Sequence, residues 1–306
     1  NSSVGPWPDK GIYELNTENF GPVPDELDND PKVYVLYYDF DVSSDGFFWY
    51  FDQYPDGTQP YESNECEVLY MNCSDRDPGG EYLISVQAHE FHHLIHWLAD
   101  DNEVTWLNEG LAEMAMWLYG HPDPVVSFPS QPDINLTTWQ NGFADYVKVY
   151  LFSLYLYEHF GGQEMMLNLT AQQLNSTASV QQALTDLGYP TTFAELLRDW
   201  VTANYLDDPV LEGGRYNYAG EDIPAFAAVT KNSYPVPPQN ATVNHFAADY
   251  VRFINGEPQV LNFDGTDNSQ WAARVIRFQA GTPLSVEDIP LDGTDTGAAF
   301  LVGFGT

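Results

Sequence analysis

The chain of 306 residues carries 45 acidic against 10 basic side chains, a formal charge of −35 and a pI near 4.1. Such a field repels nucleic acid and anionic membrane surfaces and so excludes both as partners. No apolar run reaches the roughly 18 residues of a membrane span, and the length is enough for two domains.

Residues 1–30, rich in Pro, Asp and Asn, read as an irregular lead-in. The runs Val33-Tyr34-Val35-Leu36-Tyr37-Tyr38 and Phe47-Phe48-Trp49-Tyr50-Phe51 are β-branched or aromatic and separated by Ser-Ser-Asp-Gly, the pattern of a strand pair. Glu67 to Asn72 forms a further strand, flanked by Cys66 and Cys73, the chain's two cysteines. They lack CxxC spacing. Across an extended strand they stand roughly 23 Å apart, so a disulfide requires a turn or bulge between them. A Cys66–Cys73 bridge is the expectation for an oxidising compartment, and two free thiols are the alternative.

From residue 80 to 206 helices dominate. Gly79-Gly80 opens the first, apolar residues recur at three and four from Glu81 through Leu98, and Asp100-Asp101-Asn102-Glu103 closes it. It carries His89-Glu90-Phe91-His92-His93, a HExxH pattern. On a helix His89 and His93 share a face one turn apart, so both imidazoles can reach one metal ion. Glu90 lies about 100° round the wheel, placed to act as a base without being a ligand. Zinc hydrolysis needs three protein ligands and an open position. Glu109, in the run Trp106-Leu107-Asn108-Glu109-Gly110-Leu111-Ala112-Glu113, supplies the third. Thr105 is placed to cap a second helix from Trp106 to about Tyr119, on which Glu109 and Glu113 share a face. Glu113 can then accept a hydrogen bond from the far nitrogen of a ligand histidine, with a solvated carboxylate as the alternative. His92 and His96 border the metal face. A third ligand at His96 would lie roughly 10 Å along the axis from His89, too far for a tetrahedron. Further helices span residues 144–159, 163–174, 180–187 and 192–205.

The HExxH helix followed by Asn108-Glu109-Gly110 resembles the gluzincins, the metallopeptidase clan that includes the thermolysin and aminopeptidase N families. With the strand Glu67-Val68-Leu69-Tyr70-Met71-Asn72, the HEFxHL run and WLNEGLAE, the chain looks most like the hyicolysin-type secreted neutral metallopeptidases over residues 31–206. The resemblance implies a zincin-like domain, one catalytic Zn2+, polypeptide substrates and a secreted protein. It also implies an oxyanion donor from the next helix. Phe143 to Phe152 is similar to the Tyr-x-Lys helix of the aminopeptidase N family, which makes Tyr146 that donor and Tyr150 its reserve. Two departures stand out. Only sixteen positions separate His93 from Glu109, and the Gly-x-Met-Glu-Asn signature that grips a free amino terminus is absent. The second favours cleavage inside chains over an aminopeptidase. A non-catalytic surface-binding protein with a vestigial metal site is the other alternative, against which the intact Glu90 speaks.

Past Asp207-Asp208-Pro209 the pattern turns to short strand-like runs, Tyr250–Ile254, Gln259–Phe263, Ala273–Phe278 and Phe300–Phe304, which read as an all-β domain over residues 207–306, a sandwich left open to a missing closing segment. The fold class is therefore α+β, with the catalytic domain over residues 31–206. Asp25 to Asp30 and Asp292 to Asp295 are candidate calcium clusters without EF-hand spacing, and solvated turns are the alternative. A start at Asn1 rather than Met fits a removed signal or pro-segment, or trimming of the chain, and six Asn-x-Ser/Thr sequons, which matter only in a host that glycosylates, begin at Asn1, Asn72, Asn135, Asn168, Asn175 and Asn240.

Overall fold

The computed structural model describes residues 3–25, 27–40, 44–74 and 76–301. It is mixed α+β: one helix and then strands toward the N-terminal end, helices in the middle and strands again at the C-terminal end. Two compact units divide it: Asn1–Phe128 with Leu136–Phe193, and Pro129–Asn135 with Ala194–Thr306. The boundary lies thirteen residues before the expected one at 206/207, and it places most of one helix with the C-terminal strands.

The first unit begins with a helix inside the segment expected to be irregular. Helix α1, Ile12–Phe20, buries Ile12, Leu15, Asn16, Asn19 and Phe20 along one stripe. Asn16 Nδ2 donates to the Ala88 carbonyl at 2.8 Å, a tie that a polar composition concealed. Strands β1, Tyr34–Tyr38, β2, Gly46–Phe48, and β3, Val68–Asn72, form one sheet. The first two do not pair with each other as expected. β3 sits between them, parallel to β1 with Val35 opposite Leu69, and antiparallel to β2 with Phe47 opposite Tyr70. β3 is buried on nearly its whole length because it is central, whereas β1 alternates exposed and half-buried residues. After Phe48 the chain turns through a short 3-10 segment, Tyr50–Gln53, instead of continuing as a strand.

β3 also settles the cysteines. It runs straight and is paired on both sides, so no turn brings its two ends together. Cys66 and Cys73 are free thiols, and the expected disulfide is not formed.

Helices α2, Glu81–Ala99, and α3, Thr105–Tyr119, pack on each other, and α2 also lies under the sheet, where Met71, Leu83, Val86 and Met116 make a shared core. Thr105 is the first residue of α3 rather than its cap. Val104 takes the cap position, and its N–H is held by Glu103 Oε1 at 2.6 Å. Helix α4, Phe143–His159, packs on the other side of α3. Gly110 permits this approach: a Cβ there would stand 2.6 Å from Ser153 Oγ and 3.2 Å from the Val149 carbonyl, so any side chain would push the two helices apart. Leu107, Leu111, Met114, Val149 and Leu154 are all at 0% exposure. Each contributes about 1.5–3 kcal/mol through removal from water. Helices α5, Gln163–Ala171, and α6, Thr177–Asp186, complete the unit.

The second unit contains helix α7, Phe193–Leu206, from Ala194 onward, so it is not all-β. Its strands form three separate two-stranded ladders: β4, Val229–Lys231, parallel with β5, Val251–Phe253; β6, Gln259–Asp264, antiparallel with β9, Thr296–Leu301; and β7, Arg274–Gln279, antiparallel with β8, Thr282–Asp288. Among the described residues these do not join into a sandwich, and residues 302–304 of the last expected run lie outside them. Asp199, buried on α7, binds Arg215 Nε at 2.9 Å and Arg274 Nη1 at 2.7 Å. Tyr250 Oη donates to the Val201 carbonyl at 2.6 Å. A buried carboxylate between two guanidiniums is what makes the charge tolerable there.

Candidate metal centre

The site is built by α2, α3 and α4. Its three donors come from two helices: His89 and His93 one turn apart on α2, Glu109 on the first turns of α3. His89 Nε2 lies 3.2 Å from Glu109 Oε2, and His93 Nε2 lies 3.8 Å from Glu109 Oε1. One ligand atom from each residue falls within 4.8 Å of the others. Bonds of 2.0–2.1 Å in a tetrahedron put neighbouring donors roughly 3.3 Å apart, near the 3.2 and 3.8 Å imidazole–carboxylate distances, so the group could hold a metal ion once its widest pair closes in. Among the described residues this is the only group of three or more His, Cys, Asp or Glu side chains so placed.

Each histidine has a partner for its Nδ1: His89 Nδ1 stands 3.2 Å from Glu113 Oε1, and His93 Nδ1 stands 2.9 Å from Asn108 Oδ1. The Asn108 carbonyl can only accept, so His93 Nδ1 carries the hydrogen, while His89 bonds Glu113 through Nδ1 and Glu109 through Nε2. Glu113, anticipated as the partner of a ligand histidine, is buried at 1% exposure in that position. Asn108 does more than the sequence suggested, because its Oδ1 also accepts from His96 Nδ1 at 3.1 Å. The clue was its place beside Glu109, one residue earlier on the same helix.

His92 and His96 lie outside this group of donors. His92 is fully buried with its ring edge-on to Phe20 at 4.6 Å, and His96 turns its Nδ1 to Asn108. Burial, and then the neighbouring histidine charges, hold His92 well below its usual pKa. Burial also lowers His96, to about 4, although the Asn108 bond opposes it.

Charge around the donors follows the same logic. Burial disfavours a proton on His89, but hydrogen bonds to Glu109 and Glu113 and the surrounding carboxylates more than offset it, so its pKa rises. Burial would raise Glu109, yet the charge of His93 and the hydrogen bond to His89 leave it below the usual range. Glu113 is pushed up to about 7 by burial, against the pull of His89. Glu90, at 8% exposure, is raised by burial despite the histidine charges and a hydrogen bond to the backbone of Phe48. Gly46 leaves room for it: a Cβ there would stand 3.2 Å from Glu90 Cγ and 3.1 Å from the Tyr70 carbonyl.

Tyr146, on the first turn of α4, is half-buried with its ring 6.5 Å from that of His89. Burial, then the charges of Glu109, Glu113, Glu90 and Asp123, raise its pKa, so the phenol keeps its proton. Tyr150, the reserve, is completely buried in the core. The half-buried Asp123, whose charge acts on His89 and Tyr146, had no signal in the sequence because the loop after α3 brings it there.

Three carboxylates of the calcium candidates have local partners. Asp292 Oδ1 accepts from the N–H of Thr294 and of Thr296, closing its own turn, while Asp28 Oδ1 accepts the N–H of Asp30 and Asp30 pairs with Lys32. Glu26 lies outside the described residues. Among the described residues, no helix is long and apolar enough to cross a membrane. No protein-family model matches the chain, and no curated protein matches it either.

Proposed function

We propose that the protein is a secreted zinc-dependent peptidase that cleaves inside polypeptide chains. The observation carrying this is the convergence of His89 Nε2, His93 Nε2 and Glu109 within 4.8 Å, with the buried carboxylate of Glu90 beside them. His89, His93 and Glu109 would hold the ion. Two neutral imidazoles and one carboxylate suit zinc better than calcium or magnesium, which take oxygen shells. When bound, zinc supplies Lewis acidity, which makes water a nucleophile near neutral pH and polarises a carbonyl.

The remaining work falls to the chain. Glu90, raised above the ordinary carboxylate range, takes the proton of the attacking water and delivers it to the leaving amine. A buried base with raised proton affinity suits both transfers. Tyr146 donates its retained proton as a hydrogen bond to the oxyanion of the tetrahedral intermediate. The absent free-amine signature supports cleavage within chains, and the acidic surface disfavours strongly acidic peptides. Metal analysis tests the assignment: one zinc per wild-type chain is expected, and His89→Ala should lose it. Full zinc occupancy in that variant would put the site elsewhere.

A further inference from the structure

Tyr146 is held by the loop that precedes α4. Its Oη donates to Asn141 Oδ1 at 3.3 Å, and the Trp139 ring meets the phenol ring edge-on at 4.8 Å. The loop is itself stapled to α4. Asp145 Oδ2 accepts the N–H groups of Gln140 at 3.1 Å and Gly142 at 3.0 Å. Lys148, at 0% exposure, bonds the other oxygen of Asp145 and the carbonyl of Thr138. Burying an ammonium costs several kcal/mol unless it is paired and hydrogen-bonded, so Lys148 and Asp145 fix the loop at both of its ends. Asn141 stands between them with φ at +61°, a left-handed conformation that Asn tolerates better than most residues.

We propose that the 138–142 loop is a positioning clamp for the Tyr146 phenol, in which Trp139 fixes the ring and Asn141 parks the hydroxyl; its catalytic consequence rests on the peptidase assignment above. A bond of 3.3 Å is long for O–H···O, whose usual distance is 2.7–2.8 Å. The hydroxyl is thus oriented yet weakly held, and it can exchange the Asn141 oxygen for a negatively charged one that binds it more strongly. Tyr146 lies on the first turn of α4, where few helical neighbours restrain a side chain, so the loop provides the restraint.

Asn141→Gly removes the acceptor while keeping the left-handed backbone free of strain. Two measurements decide the matter. In metal-free protein labelled at tyrosine Cζ, the resonance assigned to Tyr146 through Tyr146→Phe should shift on Asn141→Gly, and an unchanged resonance would overturn the clamp. In zinc-loaded protein the same substitution should lower kcat about tenfold with KM unchanged, the loss of one positioning hydrogen bond. It should cost nothing further in a Tyr146→Phe background. An equal loss in both backgrounds would also overturn the clamp. Should the wild type show no chelator-sensitive cleavage, the peptidase assignment fails while the resonance still decides the clamp.

Discussion

Glu113→Gln separates the support of a ligand from the ligand itself. The side chain is 1% exposed, and its Oε1 faces His89 Nδ1 at 3.2 Å. Gln preserves the shape and the accepting oxygen but removes the charge. Hydrogen bonds to charged groups contribute about 1.5–3 kcal/mol and neutral ones about 0.5–1.5, so the difference is near 1–1.5 kcal/mol, or roughly tenfold in affinity. Zinc affinity should therefore fall about tenfold, at the low end of the 10–100-fold typical of such partners. The stability of the metal-free chain should change little, because burial already lifts the Glu113 carboxyl to about 7, where half the molecules carry a proton. The pH dependence follows from the same shift. Well above 7 the wild-type carboxylate is charged and its advantage over Gln is complete, and as pH falls through about 7 the advantage closes. Competition against a chromophoric chelator from pH 5.5 to 8.5 measures the ratio of the two affinities. Equal affinities at pH 8, or a ratio that ignores pH, would refute the role given to Glu113.

Tyr146→Phe should lower kcat by about 10²–10³ with little change in KM, since an oxyanion donor acts only as charge develops. Tyr150→Phe, deep in the core, should cost about 1 kcal/mol of stability and leave kcat intact; a rate loss confined to Tyr150 would contradict the geometry. His96 has a folded pKa of about 4 against 6.5 when unfolded, so the unfolded chain binds its proton first. The stability it contributes is complete above 6.5 and drains away as pH falls toward 4, by about 3 kcal/mol in all. Urea unfolding of chelator-treated protein should show wild type losing that much more than His96→Gln across this window, and parallel curves would remove the effect.

The grouping of His89, His93 and Glu109 was legible because helical spacing alone converts His89-x-x-x-His93 into two imidazoles on one face, and the NEG run places a carboxylate on the next helix. What could not be read was which pairs meet across elements. Asn108 serves two histidines because α2 and α3 pack where Gly110 also admits α4, a tertiary fact with no local periodicity. The clamp on Tyr146 depends on a loop doubling back on its own helix. In the sheet, apolar runs announced β1 and β3, but neither the end of β2 at Phe48 nor the insertion of β3 between β1 and β2, which is what keeps Cys66 and Cys73 apart. Helix α1 was hidden by its polar residues, since Asn16 and Asn19 occupy buried positions that a pattern of apolar spacing leaves blank.

The most direct test of the central claim is casein cleavage by Glu90→Gln, with zinc measured on the same sample. Gln keeps the size of the buried Glu90 side chain but cannot take a proton. Zinc content should stay near that of the wild type, whose cleavage should stop on chelation and return with added zinc. Turnover of the variant should fall by at least the ~10²–10⁴ typical of a lost general base. Undiminished cleavage by the zinc-loaded variant, or wild-type cleavage indifferent to the chelator, would contradict the account.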